Sequence, residues 1–122
     1  MAEKSAERTY DPAEIEARLK RDLPAWRLAE GSIRRTYKTS GWKSTLMVVN
    51  AIGHLAETAW HHPDLLVSYP SVTVRLSTHD AGGVTEKDFA LARAIEEFVT
   101  WRPAPDSALE GAPANAAYLR QD

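Results

Sequence analysis

The chain has 122 residues, of which 43% are hydrophobic and 26% are charged, a balance typical of one soluble globular domain. Its formal net charge of -2 argues against nucleic acid as a partner, and the absence of cysteine excludes disulfides, thiolate metal sites and cysteine nucleophiles. Residues 1–10 are polar and do not have the pattern of a signal peptide. Because no apolar run approaches the roughly 20 residues of a membrane span, we expect a cytoplasmic protein without membrane contact.

The first predicted helix starts at Asp11-Pro12, because Asp can cap free N–H groups and Pro fits the first helical position. Apolar side chains then recur at helical spacing up to the stop at Pro24, namely Ile15, Leu19 and Leu23. Two short strands are predicted next, over residues 26–29 and 33–39, with Ile33, Arg35 and Tyr37 on one face of the second strand.

The longest predicted helix runs from about Trp42 to Trp60 and carries two apolar stripes and one polar stripe, as expected of a helix lying on a sheet. The first apolar stripe contains Val48, Ile52, Leu55 and Ala59. The neighbouring stripe contains Trp42, Leu46, Val49, Gly53 and Ala56. Pro63 is expected to end this helix, so that His61 closes the last turn and His62 is extended.

A hairpin is predicted next, with strands over residues 65–69 and 72–77. One apolar face of this hairpin is expected to carry Leu65, Val67, Tyr69, Val72, Val74 and Leu76. The sequence from Thr85 to Asp88 has the pattern of a helix capping box, with Thr85 as the cap. The third helix is expected to run to about Val99 and to bury Leu91, Ala92, Ile95 and Phe98.

The predicted order is helix-strand-strand-helix-strand-strand-helix. It indicates an α+β sandwich, a four-stranded antiparallel sheet with three helices on one face. We expect residues 1–10 to form a polar N-terminal segment, residues 11–101 the folded domain and residues 102–122 an Ala/Pro-rich tail. The tail is expected to be either flexible or packed on a neighbour, with Tyr118 and Leu119 as a docking point.

Three histidines fall where regular structure is predicted to end: His61, His62 and His79. Histidine titrates near neutral pH, so that several at one site can both donate and accept protons. The hairpin is expected to bring residues 77–79 back beside its own start, near His61 and His62. Glu57 lies one helical turn before His61 and is positioned to orient or charge its ring.

Simpler roles remain open for these residues. A helical histidine near a glutamate is most often solvated, His54 fits a polar helix face, and Asp88 is explained by helix capping. The four histidines do not have the spacing of a known zinc site and no HExxH occurs, so we expect no metal. Gly82-Gly83 is too weak a motif for phosphate or dinucleotide binding, and no nucleophile elbow surrounds Ser68, Ser71 and Ser77.

Residues 57–88 closely resemble the pterin-4a-carbinolamine dehydratase family. The shared pattern is Glu57, His61-His62-Pro63, Tyr69, His79 and Asp88, within the text HHPDLLVSYPSVTVRLSTHDAGGVTEKDF. Trp26 also corresponds to an aromatic residue at the family's pocket, and the resemblance extends over about residues 15–98. Two positions depart from the pattern: Trp60 replaces a small or acidic residue, and Leu65 replaces an aromatic one. We expect both to alter the shape of the pocket or its pterin preference.

The resemblance implies an enzyme that dehydrates 4a-hydroxytetrahydropterin to quinonoid dihydropterin, without a cofactor or metal. The reaction would belong to tetrahydrobiopterin recycling and would follow the step of an aromatic amino-acid hydroxylase. The implied catalytic residues are His61, His62 and His79, with His62 holding the pterin or assisting its hydroxyl. The implied supporting residues are Glu57, placed behind His61, and Asp88. Pro63 and Trp26 would shape the pocket against the flat ring. The resemblance also implies a homodimer or homotetramer in which sheets join edge to edge.

The alternative is a non-catalytic protein, because relatives with this fold act as a transcriptional dimerisation cofactor or resemble a Rubisco assembly factor. Fold alone does not decide between these functions. A purely structural descendant is expected to lose some of the three histidines, and this chain keeps all of them. The sequence therefore favours the enzyme.

Overall fold

The computed structural model describes residues 7–120, and the elements follow the predicted order. They are α1 (Pro12–Asp22), β1 (Arg27–Ala29), β2 (Ser32–Lys38), α2 (Trp42–Ala59), β3 (Asp64–Ser68), β4 (Ser71–Leu76) and α3 (Glu86–Val99), with short 3-10 helices at His79–Ala81 and Ala114–Ala116. Residues 1–6 of the predicted N-terminal segment and residues 121–122 of the predicted tail lie outside the described residues. None of the helices within residues 7–120 has the length and apolar character needed to cross a bilayer.

The four strands form one antiparallel sheet in the order β1-β2-β4-β3. β2 and β4 form the centre, paired from Ile33 opposite Leu76 to Lys38 opposite Ser71, and β3 completes the predicted hairpin at one edge. The face that meets the helices carries five almost completely buried side chains: Ile33, Tyr37, Val72, Val74 and Leu76. Each buried aliphatic side chain of this size contributes about 1.5–3 kcal/mol relative to exposure. The predicted α+β arrangement is confirmed.

α1 begins at the predicted cap. Asp11 Oδ1 accepts a hydrogen bond from the Glu14 backbone N–H at 2.9 Å, and Glu14 Oε1 accepts one from the Asp11 N–H at 3.0 Å. This reciprocal capping box satisfies N–H groups that a helix start otherwise leaves free. The predicted apolar stripe of this segment is buried and packs in the core: Ile15, Leu19 and Leu23.

α2 has one fully buried stripe, which combines residues from both of the predicted apolar stripes. The buried stripe consists of Thr45, Val48, Ile52 and Ala56. The second predicted stripe begins in solvent, since Trp42 is 50% exposed and Leu46 is 40% exposed. A helix on a sheet turns only part of its circumference toward the core. Val49, Ala51 and Leu55 are partly buried beside the fully buried stripe and pack against the core.

Two further burial predictions are wrong for local reasons. Phe98 is 51% exposed, because it lies at the edge of the buried stripe in the last turn of α3, about 100° around the helix from Val99. Tyr69 is 66% exposed, because β3 is an edge strand that ends before it at Ser68. Val67, also on this edge strand, is partly exposed. The predicted burial of Leu91, Ala92 and Ile95 is confirmed.

A carboxylate on α3 connects this helix to the sheet. Glu96 Oε1 accepts hydrogen bonds from Trp26 Nε1 at 3.0 Å, Arg35 Nε at 2.9 Å and the Tyr37 hydroxyl at 2.7 Å. Burial by itself would raise the pKa of Glu96, but the bonds from Arg35, Tyr37 and Trp26 outweigh it and hold this pKa below the ordinary value. Burial also raises the pKa of Tyr37, which therefore remains a hydrogen-bond donor.

The C-terminal segment packs against the chain's own domain. The Tyr118 hydroxyl donates to Val99 O at 2.8 Å, and Leu119 forms an isolated β-bridge with Thr39 just beyond β2. The Arg120 N–H donates to Lys38 O at 2.9 Å. The predicted docking residues Tyr118 and Leu119 thus contact the end of β2 and the end of α3 within the same chain. A cavity of about 950 Å³ lies between this segment, α2 and α3.

We expect Glu96 to make the stability of the fold sensitive to acid. Because its pKa is lower in the folded than in the unfolded chain, the unfolded chain takes up the proton first as the pH falls. The stability contributed by Glu96 is thus present above its ordinary pKa of 4.5 and is lost as the pH falls through the folded value. Glu96→Gln should lower the free energy of unfolding at neutral pH and flatten its decline in acid, as measured by urea titration.

Glu97→Gln is the matched control for this experiment. Glu97 lies on the exposed side of α3 and pairs with Arg93 at 3.3 Å. An exposed pair of this kind contributes little to stability. The Glu97 variant should retain the wild-type acid profile, and an unchanged profile in Glu96→Gln would contradict the role assigned to Glu96.

Candidate active site at the junction of α2 and α3

α2 is terminated by Trp60, which has a left-handed backbone conformation and precedes Pro63 by three residues. Trp60 has φ 56° and ψ 45°, its N–H bonds to Glu57 O, and the His61 N–H bonds to Ala56 O at 3.1 Å. These two bonds close the helix in a Schellman motif. The predicted helix end is therefore corrected: α2 ends at Ala59, and His61 is the first residue beyond its left-handed cap.

His61 contacts a buried carboxylate. Its Nε2 lies 2.6 Å from Asp88 Oδ1, and the side chains of His61 and Asp88 are 14% and 0% exposed. Since an ionised carboxylate only accepts hydrogen bonds, Nε2 carries the hydrogen and donates it. The opposite ring nitrogen, Nδ1, has no hydrogen-bond partner within residues 7–120. In the neutral ring, His61 therefore has an open basic nitrogen.

Asp88 is held by the start of α3 and by the segment after β4. Its Oδ2 accepts hydrogen bonds from the Thr85 N–H at 2.9 Å and the Thr78 hydroxyl at 2.8 Å. The predicted capping box, with Thr85 as the cap and Asp88 reaching back, is confirmed. The capping bond uses Oδ2 and leaves Oδ1 for His61, so that one carboxylate contacts both the start of α3 and the His61 ring.

Thr78 is a residue of the site that the sequence analysis missed. It is buried, and its hydroxyl oxygen lies 2.8 Å from that of Thr85. Because Thr78 gives its hydrogen to Asp88, Thr85 must donate to Thr78, which sets one direction for the chain of bonds. The only sequence signal for this role is its place beside His79, since threonine is common wherever strands end.

His79 opens the 3-10 helix directly after Thr78. The Thr78 N–H donates to Gly83 O at 2.8 Å, and the intervening turn passes through Gly82 at φ 77°, a conformation that favours glycine. His79 is exposed and lines a cavity of about 300 Å³ together with Gly31, Ser77, Thr78, Gly82 and Gly83. His61 and His79 are thus connected through Asp88 and Thr78, although His61 does not line this cavity.

His62 pairs with Glu57 across the helix end. Its Nε2 lies 2.9 Å from Glu57 Oε1, and the Trp60 ring packs edge to face against its ring with centroids 5.0 Å apart. Glu57 was expected to stand behind His61. The left-handed turn at Trp60 separates the two residues, so that Glu57 contacts His62 and Asp88 takes the place beside His61.

The two residues expected to line the pocket differ in exposure. Trp26 is 3% exposed, and its Nε1 is bonded to Glu96. Pro63 is half-buried at the start of β3. Contact of either residue with a flat ring remains a prediction. Within residues 7–120, no three side chains of the types His, Cys, Asp and Glu are grouped so that they could hold a metal ion.

The four-stranded sheet, with three helices on one face and a bond from His61 to the buried Asp88 between two of them, defines a small α+β domain. Residues 8–98 match the family described as Pterin 4 alpha carbinolamine dehydratase, which is most of the chain. The chain belongs to this family of dehydratases, which are hydro-lyases. The whole C-terminal segment, residues 102–122, lies outside the matched residues.

Relatives and a solved structure agree with this assignment. A protein of Aquifex aeolicus named "Putative pterin-4-alpha-carbinolamine dehydratase" is 50% identical over 78 residues, which are 64% of this chain and 79% of the relative. A protein of the same name from Roseiflexus castenholzii is 46% identical over 87 residues, covering 71% and 92%. A crystal structure of a "transcriptional coactivator/pterin dehydratase" from Brucella melitensis has a TM-score of 0.69 at 26% identity, covering 75% of this chain and 99% of that one.

We expect Thr78→Val to destabilise the fold. The substitution removes a donor from Asp88 Oδ2 and leaves the Thr85 hydroxyl without its acceptor, both in a buried setting. Loss of such a buried partner costs about 1–3 kcal/mol, to be measured as the change in the free energy of unfolding in urea. Thr73→Val is the control, because the Thr73 hydroxyl bonds to Thr36 at 2.9 Å on the exposed face of the sheet. Equal effects of the two substitutions would contradict the role of Thr78.

Proposed function

We propose that this chain dehydrates 4a-hydroxytetrahydropterin to quinonoid dihydropterin and water, by histidine acid–base catalysis. Its membership of the dehydratase family supports the substrate class and the reaction. The observation that carries the proposal is the His61–Asp88 pair, which leaves His61 Nδ1 open beside the segment that bears His79. The reaction would serve tetrahydrobiopterin recycling after an aromatic amino-acid hydroxylase.

The chemistry requires two proton transfers and no electron transfer. The C4a–O bond breaks as an acid protonates the departing hydroxyl, and a base removes the hydrogen from N5. The N5 electron pair then forms the C4a=N5 double bond, and the hydroxyl leaves as water. Histidine side chains are suited to both transfers because they titrate near neutral pH.

The role proposed for each residue of the site follows from its contacts. His61 and His79 form the proposed proton-transfer pair, and Asp88 positions His61 by fixing the hydrogen on Nε2. His62, held by Glu57 on an exposed surface, would bind the pterin or assist its hydroxyl. Trp26 and Pro63 are proposed to shape the pocket against the ring, since flat apolar groups favour a heterocycle.

The decisive test is an ultraviolet assay of freshly generated 4a-hydroxytetrahydropterin with the purified chain. We expect a clear acceleration that falls by about 10²- to 10⁴-fold in His61→Ala and in His79→Ala, because each removes a proton-transfer group. His54→Ala is the matched control, since His54 lies exposed on α2 outside the contacts described above. A chelator should leave the rate unchanged.

Asp88→Asn separates a positioning role from substrate binding. The substitution keeps the size of the side chain but removes the ionised acceptor of the His61 hydrogen, so that kcat and its pH profile should change more than KM. Absence of acceleration by folded wild-type protein, or full activity of His61→Ala, would overturn the proposed mechanism.

A non-catalytic role is the second candidate, because the description of the Brucella structure also names a transcriptional coactivator. The exposed apolar side chains of α2 support a protein-binding surface in this chain, with Trp42 50% exposed and Met47 51% exposed. The dehydratase assay distinguishes the two functions. A folded chain that is inactive would favour the assembly or dimerisation role.

We also propose that the chain forms a homodimer or homotetramer through the β3 edge. Within residues 7–120 this strand pairs only with β4, and its Leu66 and Val67 side chains are 64% and 37% exposed. Val67→Lys should lower the mass measured by light scattering, because lysine on an edge strand opposes strand pairing. Lys43→Ala, on the exposed surface of α2, should leave the mass unchanged. A wild-type monomer would refute the edge contact.

A further inference from the structure

The sheet face that the helices leave open carries a row of three arginines. Arg27 on β1 lies opposite Arg34 on β2, and Arg34 lies opposite Arg75 on β4. Adjacent strands are about 4.8 Å apart, so that the three side chains begin within roughly 10 Å of one another. Their neighbours Ile33 and Leu76 are buried on the helix side, which places the arginines on the other face. Like charges directly opposite one another destabilise a sheet.

The middle arginine is held by its own hairpin. Arg34 donates to Glu30 Oε1 at 2.9 Å and to the Ser32 hydroxyl at 3.1 Å, and its side chain is only 15% exposed. Glu30 thus balances the charge of Arg34. Arg34 is therefore held in place between the strands that carry Arg27 and Arg75.

The charges of the two outer arginines, Arg27 and Arg75, are not balanced in this way within residues 7–120. Arg75 Nε is buried and has no hydrogen-bond partner within residues 7–120. Neither Arg27 nor Arg75 forms an ion pair in this part of the chain, although Asp64 lies opposite Arg75 on β3. A buried guanidinium N–H without an acceptor is unfavourable. The row therefore lacks an acceptor at Arg75 and carries two unpaired positive charges.

We propose that this arginine row binds the phosphate group of a small ligand. A guanidinium presents parallel N–H donors that match phosphate oxygens, and at Arg75 the two terminal nitrogens are the accessible pair, because Nε is buried. A phosphate dianion matches the charges of Arg27 and Arg75. Because Asp64 repels an anion at the β3 end, the phosphate is placed between Arg27 and Arg75, over Arg34.

The rest of the open face favours a small ligand over a nucleic acid. The next row along the strands is neutral, with Thr36 opposite Thr73 and Thr73 opposite Leu66. A polyanion needs a longer basic track, and the chain carries a net charge of -2. The row lies on the open face of the sheet, whereas Asp88 and its bond to His61 lie on the helix side, so that this proposal does not depend on the dehydratase activity.

The test is calorimetric titration of the full chain with inorganic phosphate and with pyrophosphate at low ionic strength. Wild-type protein should bind, and Arg75→Gln should weaken binding by about tenfold or more, because it removes a charge-assisted bidentate contact. Arg75→Lys should bind with intermediate affinity, since it keeps the charge but loses the fork. Arg93→Gln, on the exposed side of α3, should bind like wild type.

Amide chemical shifts locate the ligand in the same titration. Shifts should centre on Arg27, Arg34 and Arg75, and phosphate should raise the melting temperature of wild type but not of Arg75→Gln. Absence of binding by folded protein, equal affinity of Arg75→Gln, or shifts centred on His61 and His79 would overturn the proposal. Binding of a single-stranded oligonucleotide that phosphate does not displace would also overturn it, in favour of a nucleic-acid surface.

Discussion

The antiparallel register of β3 and β4 determines where the segments that carry the histidines lie relative to each other. Asp64 follows Pro63 directly and lies opposite Arg75, shortly before Thr78 and His79. The strand that follows His61 and His62 thus starts at the edge of the sheet where the strand preceding His79 ends. A slip of one residue would turn the buried side chains of β4, Val72, Val74 and Leu76, toward solvent. The hydrophobic pattern of the hairpin therefore sets the geometry of the site.

The second requirement is that a buried carboxylate must be surrounded by donors. Asp88 is fully buried, which is strongly unfavourable for a charge without hydrogen bonds. Its donors come from three separate places in the fold: the end of α2, the segment after β4 and the start of α3. Folding therefore assembles the environment of His61, because Asp88 can be buried only when these three places converge.

Periodicity and caps predict most of the fold because they reflect local energetics, as in the Asp11 and Thr85 capping boxes. The three histidines stand out because they fall where regular structure is predicted to end, and the resemblance to the family implies catalytic roles for them. Their contacts depend on backbone turns that periodicity does not reveal: the left-handed conformation of Trp60 moves Glu57 to His62 and away from His61. Thr78 escaped notice because its role depends on tertiary contacts. Phe98 was misplaced because a hydrophobic side chain at a helix end fits either face.

Asp88 both caps α3 and accepts a hydrogen bond from His61, and evolution can lose the second role more readily than the first. If a descendant lost the proposed proton transfer, selection for a folded α3 would still retain Asp88, since the helix start depends on its Oδ2. His61 donates to Asp88 from a largely buried position but caps no helix, so that drift could replace it more readily. Among paralogues, the presence of Asp88 would therefore report an intact fold. Under the proposed mechanism, the presence of His61 would report retained dehydratase chemistry.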